Sequence, residues 1–405
     1  MMLLTLAWRN MWRNRNRTLI TMASVFFAVL LAILTRALQK GVFDNVIKNV
    51  VNYYSGYVQI HKTGYWDEQT LDNAFLFSDS LVHDLKSDEN ISVFAPRLES
   101  FALASSGEKT QGCLISGIEP EKENSIIHLQ QKVSEGKYFN ADDHAVMIGS
   151  DLAEKLQLKL NDTVLLLGQG YHGATAAGKY PIKAILKFGS PDLNSRMLFL
   201  PLKEAQNFFG SDSLLTTIVL QPKNIGDLPL VKSSLQKTTG NNYEVMTWQD
   251  MMPELVQHMS TENVATYIMF GVLMLLVSFG IFGTLLMMLS ERQHEFGMLV
   301  AIGMKRFQLS IVLVIECVLT TISGSILGVI VSFPLVYYFK VHPLHFSGSL
   351  AKLYVKYGFE PIFPTSTAPD VFYIQAFIVL FVGLLLSLYP AITVMKLKVT
   401  TAMNQ

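Results

Sequence analysis

Three glycines and a lysine are the residues here whose types and spacing most suggest chemistry. Gly168, Gly170 and Gly173 spell GxGxxG, and Gly173, Gly178 and Lys179 spell GxxxxGK, the frame of a phosphate-binding loop. Such a loop needs Ser or Thr after the lysine, to hold magnesium, and then a helix whose N-terminus faces the phosphates. Tyr180 and Pro181 stand there instead, followed by a strand-like stretch. The segment reads as the glycine-rich tip of a hairpin. Asp142, Asp143 and His144 are adjacent, but no second spaced ligand set accompanies them, which argues against a metal centre. His294 and Glu295 lack the second histidine of HExxH, and no GxSxG elbow occurs. No catalytic residue, cofactor-binding residue or metal ligand is expected, and the chain is not expected to be an enzyme.

The elements that would hold these residues are dominated by four long apolar runs, at 19–38, 264–289, 310–338 and 371–391. A run of about 20 residues suffices to cross the hydrocarbon core of a bilayer. Composition agrees, since 50% of the residues are apolar and 16% charged. The formal net charge of +0 gives no field that would attract nucleic acid. Cys113 and Cys317 fall in different environments, so no disulfide between them is expected.

Basic residues set the expected orientation. Arg9, Arg13, Arg15 and Arg17 precede the first run, Arg292, Lys305 and Arg306 lie between the second and third, and Lys396 and Lys398 follow the fourth. Short basic loops stay cytoplasmic. The expected order is a cytoplasmic amphipathic segment at 1–17, a transmembrane helix at 18–40 and an extracytoplasmic domain at 41–262. A second span at 263–290, a cytoplasmic loop at 291–309 and a third span at 310–340 follow. An extracytoplasmic loop at 341–370, a fourth span at 371–391 and a cytoplasmic tail at 392–405 complete it. At the front, Trp8 and Trp12 form one helical stripe and Arg9 and Arg13 another, which suits a segment lying in the membrane interface or a simple topology anchor.

The insert reads as mixed α/β. Strands are expected at 57–61, 112–118, 146–148, 163–167, 182–186, 197–200 and 216–220, and helices at 150–156, 202–209 and 228–237. Two subdomains are expected, one centred on 135–210 and the other built from the flanking segments.

The loop at 291–309 carries the strongest signal. Phe296, Leu299, Val300 and Gly303 fall at i, i+3, i+4 and i+7, an apolar face flanked by charges. Such a face fits a groove on a partner, or folds back on its own bundle. Gly324 and Gly328 form GxxxG in the third run, and Gly280 and Gly283 lie in the second, all candidates for close helix packing. Glu316 is an acid deep in a span, where a charge must meet protein, water or a boundary.

The run SERQHEFGMLVAIGMKRFQL resembles the coupling helix of the FtsX/MacB-type ABC transporter permeases, whose pattern is Ser or Ala, then E-R-x-x-E-x-G-x-L-x-A-I-G. LAWRNMWRNRNRTLIT before the first span is similar to the same family, as is LYPAITVMKLKVTTAM, with Pro390 closing the fourth. VMIGSDLAEKLQLKLNDTVLLL looks like the family's extracytoplasmic domain. Four spans, a large domain after the first and no fused ATPase look most like the lipoprotein-releasing branch, the LolC and LolE type. The resemblance implies an α-helical membrane protein with a MacB-type periplasmic core domain inserted between helices 1 and 2, in a bacterial inner membrane. It implies that Glu291, Arg292, Glu295, Phe296, Gly297, Met298, Leu299, Ala301 and Gly303 dock a cytoplasmic ABC ATPase dimer, which itself binds ATP and magnesium. Glu291 and Glu295 would supply polar contacts, and Phe296, Met298 and Leu299 apolar ones. A second permease subunit, identical or sister, is implied, with membrane lipids, a lipoprotein substrate and a periplasmic carrier or adaptor as further partners. Export of a peptide, drug or other hydrophobic substrate, and activation of a cell-wall hydrolase, are the alternatives within the family.

Overall fold

The computed structural model describes residues 2–13, 15–345, 347–349, 351 and 362–396; Lys398 and the tail beyond it lie outside the described residues. The chain opens with α1 (Met2–Arg13) and α2 (Arg15–Val50), followed by a π-helical turn at Val51–Ser55. The inserted region carries β1 (Val58–Lys62), β2 (Phe75–Leu76), α3 (Asp79–Ser87), β3 (Ile91–Ser106), β4 (Lys109–Ile118) and α4 (Pro120–Ile127). It continues with β5 (Val133–Gly136), β6 (Val146–Gly149), α5 (Ser150–Leu156), β7 (Thr163–Gln169) and β8 (Thr175–Leu186). Then come α6 (Pro191–Arg196), β9 (Met197–Pro201), α7 (Leu202–Phe209), β10 (Leu214–Leu215) and β11 (Thr217–Pro222). It closes with α8 (Leu228–Thr239), β12 (Tyr243–Thr247) and α9 (Trp248–Met251). Last are α10 (Pro253–Glu291), α11 (Gln293–Ala301), α12 (Arg306–Val341) and α13 (Pro369–Met395).

Among the described residues, four helices are long and apolar enough to cross a membrane: Thr18–Asn49, Pro253–Glu291, Arg306–Val341 and Pro369–Met395. Apart from residues 45–49 and 253–257 at the ends of the first two, they belong to one compact unit, formed by the chain up to Asp44, by His258–Leu344 and by the residues from Ile362 onward; Asn45–Gln257 and His345–Pro361 make up the other.

Within the helical unit, small residues decide where helices meet. A methyl group added to Gly324 of α12 would lie 2.8 Å from the Met22 carbonyl oxygen of α2, and one on Gly328 would lie 2.8 Å from Val29 Cβ. The GxxxG of α12 therefore seats α2 backbone to backbone. Gly383 of α13 makes room for the Thr321 side chain of α12, whose Cγ2 would lie 2.7 Å from an added methyl, a contact the sequence pattern did not single out. Gly280 and Gly283 correct the expectation made for them. Among the described residues nothing lies within 4 Å of a Cβ at either position, so that face of α10 is not packed against them. Pro390 is a second correction. The helix runs through it to Met395, and the Ser310 hydroxyl donates to the Ala391 carbonyl at 2.8 Å.

The inserted unit is organised around β3, sixteen residues long. Along one edge β3 pairs antiparallel first with β11 and then with β7; along the other it pairs with β4. β4 then pairs with β9, β9 with β6, β6 with β8, and β8 with β7. The pairings β3–β4–β9–β6–β8–β7 close on themselves, which removes free edges from these strands. Ala102, Cys113, Ile148, Leu166, Ile182 and Leu198 supply one buried residue from each strand to a common core. The expected division at 135–210 is corrected by this ring, because the β3–β4 hairpin from outside that segment contributes two of its strands.

β3 also carries a buried ionic cluster. Arg97 is fully buried; its Nη2 donates to Glu123 Oε1 at 2.5 Å, its Nε to Glu123 Oε2 at 3.1 Å and its Nη1 to Glu99 Oε1 at 3.4 Å. The guanidinium stands 5.2 Å over the Tyr54 ring, in the π-helical turn after α2. Burial pushes the Glu99 carboxyl up, while Arg97 pulls it down. On β1, His61 is buried beside Thr216 and Thr217, and burial pushes its imidazole down to about 4.

Two outcomes are expected. A Gly324→Val or Gly328→Val substitution should lower the stability of the detergent-solubilised chain by about 1–3 kcal/mol, whereas Gly280→Val and Gly283→Val should leave it unchanged; thermal melts check this. His61 folds neutral, so the unfolded chain binds the extra proton below its ordinary value of 6.5. Stability should therefore be intact above pH 6.5 and fall by on the order of 3 kcal/mol as pH drops towards 4, a loss that His61→Asn should abolish.

Candidate functional site

The second span ends at Glu291, and the next residue breaks the helix. Arg292 has φ −105° and ψ 8°, and α11 restarts from it in a new direction. Gly303, at φ 109°, ends the short helix, with the Gly303 and Met304 amides donating to the Val300 and Leu299 carbonyls. A left-handed glycine is the usual way to stop a helix in so little chain. The Lys305 amide then donates to Gln308 Oε1 at 3.3 Å as α12 begins.

The break is held by charge. Arg292 is buried, and its Nη1 donates to both oxygens of Glu316, at 3.2 and 3.1 Å. Glu316 lies ten residues into α12 from Arg306, about 15 Å along its axis. The intramembrane acid is thus met by an arginine reaching in from the loop. The Arg292 Nε donates to Glu295 Oε2 at 3.2 Å, and its guanidinium lies 5.0 Å from the Phe296 ring centre. Arg13 of α1 also donates to Glu295 Oε2, at 2.5 Å. That outer pair is largely exposed and adds little to stability, whereas breaking the buried one by removing a partner typically costs about 3–5 kcal/mol.

The geometry divides the nine expected docking residues. Phe296 is 0% exposed and joins the core of the helical unit with Leu285, Leu289, Leu309 and Leu313. Arg292 and Gly297 are also buried, and Leu299 is half-buried against the same core. These residues face the protein itself, which corrects their assignment as docking contacts. Glu295 is half-buried between two arginines. Glu291, Met298, Ala301 and Gly303 face outward. With them, His294 and Ile302 complete a stripe at 291, 294, 298 and 301–302, one side of a helix. Ile302 is 79% exposed, Met298 44%, and Phe307 at the start of α12 66%. Ile302 and Phe307 were missed because periodicity locates a stripe without saying which side the bundle claims.

The remaining motifs fall elsewhere. Gly168, Gly178 and Lys179 sit in the β7–β8 ladder, Lys179 opposite Leu165, and the tip between them is closed by the Gly170 amide donating to the Ala174 carbonyl at 2.6 Å. No helix follows, so the stretch is a hairpin. Asp143 pairs with Lys183 and accepts from the Asn140 amide, while His144 meets Glu204 at 2.6 Å. The Asn140 amide and then Lys183 hold the Asp143 carboxyl below its usual range. At the front of the chain, Ala7 and Met11 are the buried side of α1, and Trp8 and Trp12 project outward with ring centres 6.2 Å apart.

Four membrane-length helices, an α/β domain inserted after the first and a short helix between the second and third define a multi-pass membrane protein. The MacB-like periplasmic core domain model matches residues 18–238, and the FtsX-like permease C-terminal model matches residues 267–399. The chain belongs to the FtsX/MacB family of ABC transporter permeases. It is similar to the lipoprotein-releasing system transmembrane protein LolC of Xylella fastidiosa, strains Temecula1 and 9a5c, at 22% identity in each case. The matched region spans 60% of this chain and 60% of the length of each relative. Among solved structures, the periplasmic region of MacB from Actinobacillus actinomycetemcomitans aligns at 14% identity and TM-score 0.38, covering 52% of this chain and 97% of that one. The extracellular domain of the ABC-type transporter YknZ from Gram-positive bacteria aligns at 16% identity and TM-score 0.34, covering 47% and 100%.

Phe296→Ala should destabilise the solubilised chain by about 3–5 kcal/mol, the cost of a large cavity in a packed core, whereas Met298→Ala and Ile302→Ala should stay within about 0.5 kcal/mol of the parent. Thermal unfolding of the three variants side by side checks the inward and outward sides of α11.

Proposed function

We propose that this permease couples ATP hydrolysis by a separate cytoplasmic ATPase to the release of lipoproteins from the inner membrane of a bacterium. The observation that carries the coupling is the outward stripe of Glu291, His294, Met298, Ala301 and Ile302, on a helix whose other side is locked into its own bundle. An exposed apolar strip rimmed by charge, on a rigid helix, is suited to a groove on a partner protein. In this arrangement the loop, both termini and the Arg-rich α1 face the cytoplasm, α1 lies in the inner interface, and the inserted domain faces the periplasm. The basic residues flanking the spans support that orientation.

An ATPase dimer binds ATP and magnesium below the membrane, and four helices from a second permease subunit complete the transporter. The open face of α10 around Gly280 and Gly283 is free in this chain to meet that subunit or lipid. Lipoprotein as substrate, passed on to a periplasmic carrier, rests on the likeness to LolC. Export through an adaptor and activation of a wall hydrolase are the competing readings.

Purification of the tagged chain from native membranes, with mass spectrometry of what accompanies it, tests this. An ABC ATPase together with acylated lipoproteins is the expected result; an adaptor or a hydrolase in their place would redirect the substrate assignment. Met298→Asp and Ile302→Asp should reduce recovery of the ATPase by about tenfold or more while leaving insertion intact, as for central contacts of a protein interface. Undiminished recovery with both variants would remove the stripe as the docking surface.

A further inference from the structure

Arg292 and Glu316 do more than the docking of α11 requires. Phe296, Leu299, Val300 and Met304 already bury the inner side of α11 in the helical unit. Apolar residues of similar size at 292 and 316 would hold that helix as well or better, because a buried ion pair gives up most of its attraction to desolvation. What the pair adds is direction. Two hydrogen bonds from one guanidinium nitrogen to both carboxylate oxygens fix α11 to one turn of α12, whereas greasy contacts slide at little cost.

The surroundings fit a joint that moves as one piece. A small cavity of about 20 Å³ adjoins Glu316, lined by Thr18 and Thr21 of α2, Thr284 of α10 and Thr320 of α12 together with Leu285, Met288 and Cys317. It has room for about one water molecule. Eight residues further along α12, Gly324 makes the backbone contact with α2, and Gly328 repeats it one turn later. α2 itself continues without a break to Val50. On the other side of Arg292, Glu295 ties the same joint to Arg13 of α1.

We infer that the Arg292–Glu316 pair is the positioning joint that carries displacement of α11 into α12, and through the Gly324 and Gly328 contacts into α2. The inference rests on the reading that an ATPase pushes on α11. Arg292 and Glu316 touch neither nucleotide nor substrate in this scheme; they act through the helices they connect.

The test uses the full permease–ATPase complex in lipid nanodiscs. ATP hydrolysis is measured in parallel with amide hydrogen exchange over residues 41–60, with and without ATP and vanadate. The variants are the apolar pair Arg292→Met/Glu316→Leu and the single Glu316→Gln, which keeps the shape and removes the charge. Both should retain the ATPase and hydrolyse ATP within about twofold of the parent, while the nucleotide-dependent change in exchange should be roughly tenfold smaller, the size of a typical coupling between sites. A purely structural pair predicts instead that the apolar variant keeps the full response, and that result in either folded variant would overturn the inference. Failure of both variants to fold would assign the charges to folding and overturn it as well. An ATPase missing from the parent complex is a separate outcome, which removes the docking reading and this inference with it.

Discussion

A carboxylate about three helical turns inside a membrane helix must have a partner, and the rest of the helical unit follows from how Glu316 finds one. Arg292 reaches it from the loop, donating to both of its carboxylate oxygens. For that arginine to enter, α10 must stop at Glu291 and α11 must set off in a new direction. Once Arg292 is buried, the helical period places Phe296 inward over its guanidinium and leaves Met298 and Ile302 on the outside. The orientation of the loop helix is thus fixed by one electrostatic requirement rather than by the apolar residues that attract attention first.

The inserted domain follows the same logic at another place. Arg97 and Glu123 are each fully buried, and Glu99 nearly so, on or against a strand that pairs with three others in one sheet. β3 has to bend from the β11 pairing into the β7 pairing, and the cluster sits where the partner changes. Tyr54, in the π-helical turn that ends the first span's helix, lies against that cluster. Both units therefore have a buried arginine with two carboxylates where chain segments change direction, and in both the charges select a geometry that apolar packing alone leaves loose.

Much of this was legible in the sequence. The four spans are long uniform runs, and composition alone marks them. The hairpin at 168–179 was separable from a phosphate loop because Tyr180 stands where such a loop needs Ser or Thr and a strand pattern follows in place of the helix. Strands such as β6, β7 and β9 are apolar enough to stand out. β3 is not: Pro96, Arg97 and Glu99 break its pattern, and only the structure shows that its charges are paired inside. The inward side of α11 was ambiguous for a related reason. A stripe with helical period has a direction only relative to a neighbour, and the deciding neighbour, Glu316, lies more than twenty residues away in sequence. Gly280 and Gly283 look like Gly324 and Gly328 on paper, and only the position of α2 separates them.

The central claim is that the outer side of α11 is the surface where an ATPase drives this permease. Its most direct measurement is a photo-crosslinking amino acid placed at position 302 and irradiated in intact native membranes, with position 296 as the buried control. The account predicts an adduct of Ile302-substituted chain with an ABC ATPase and none from position 296. Adducts from position 302 with lipid alone, or with no protein at all, would contradict it.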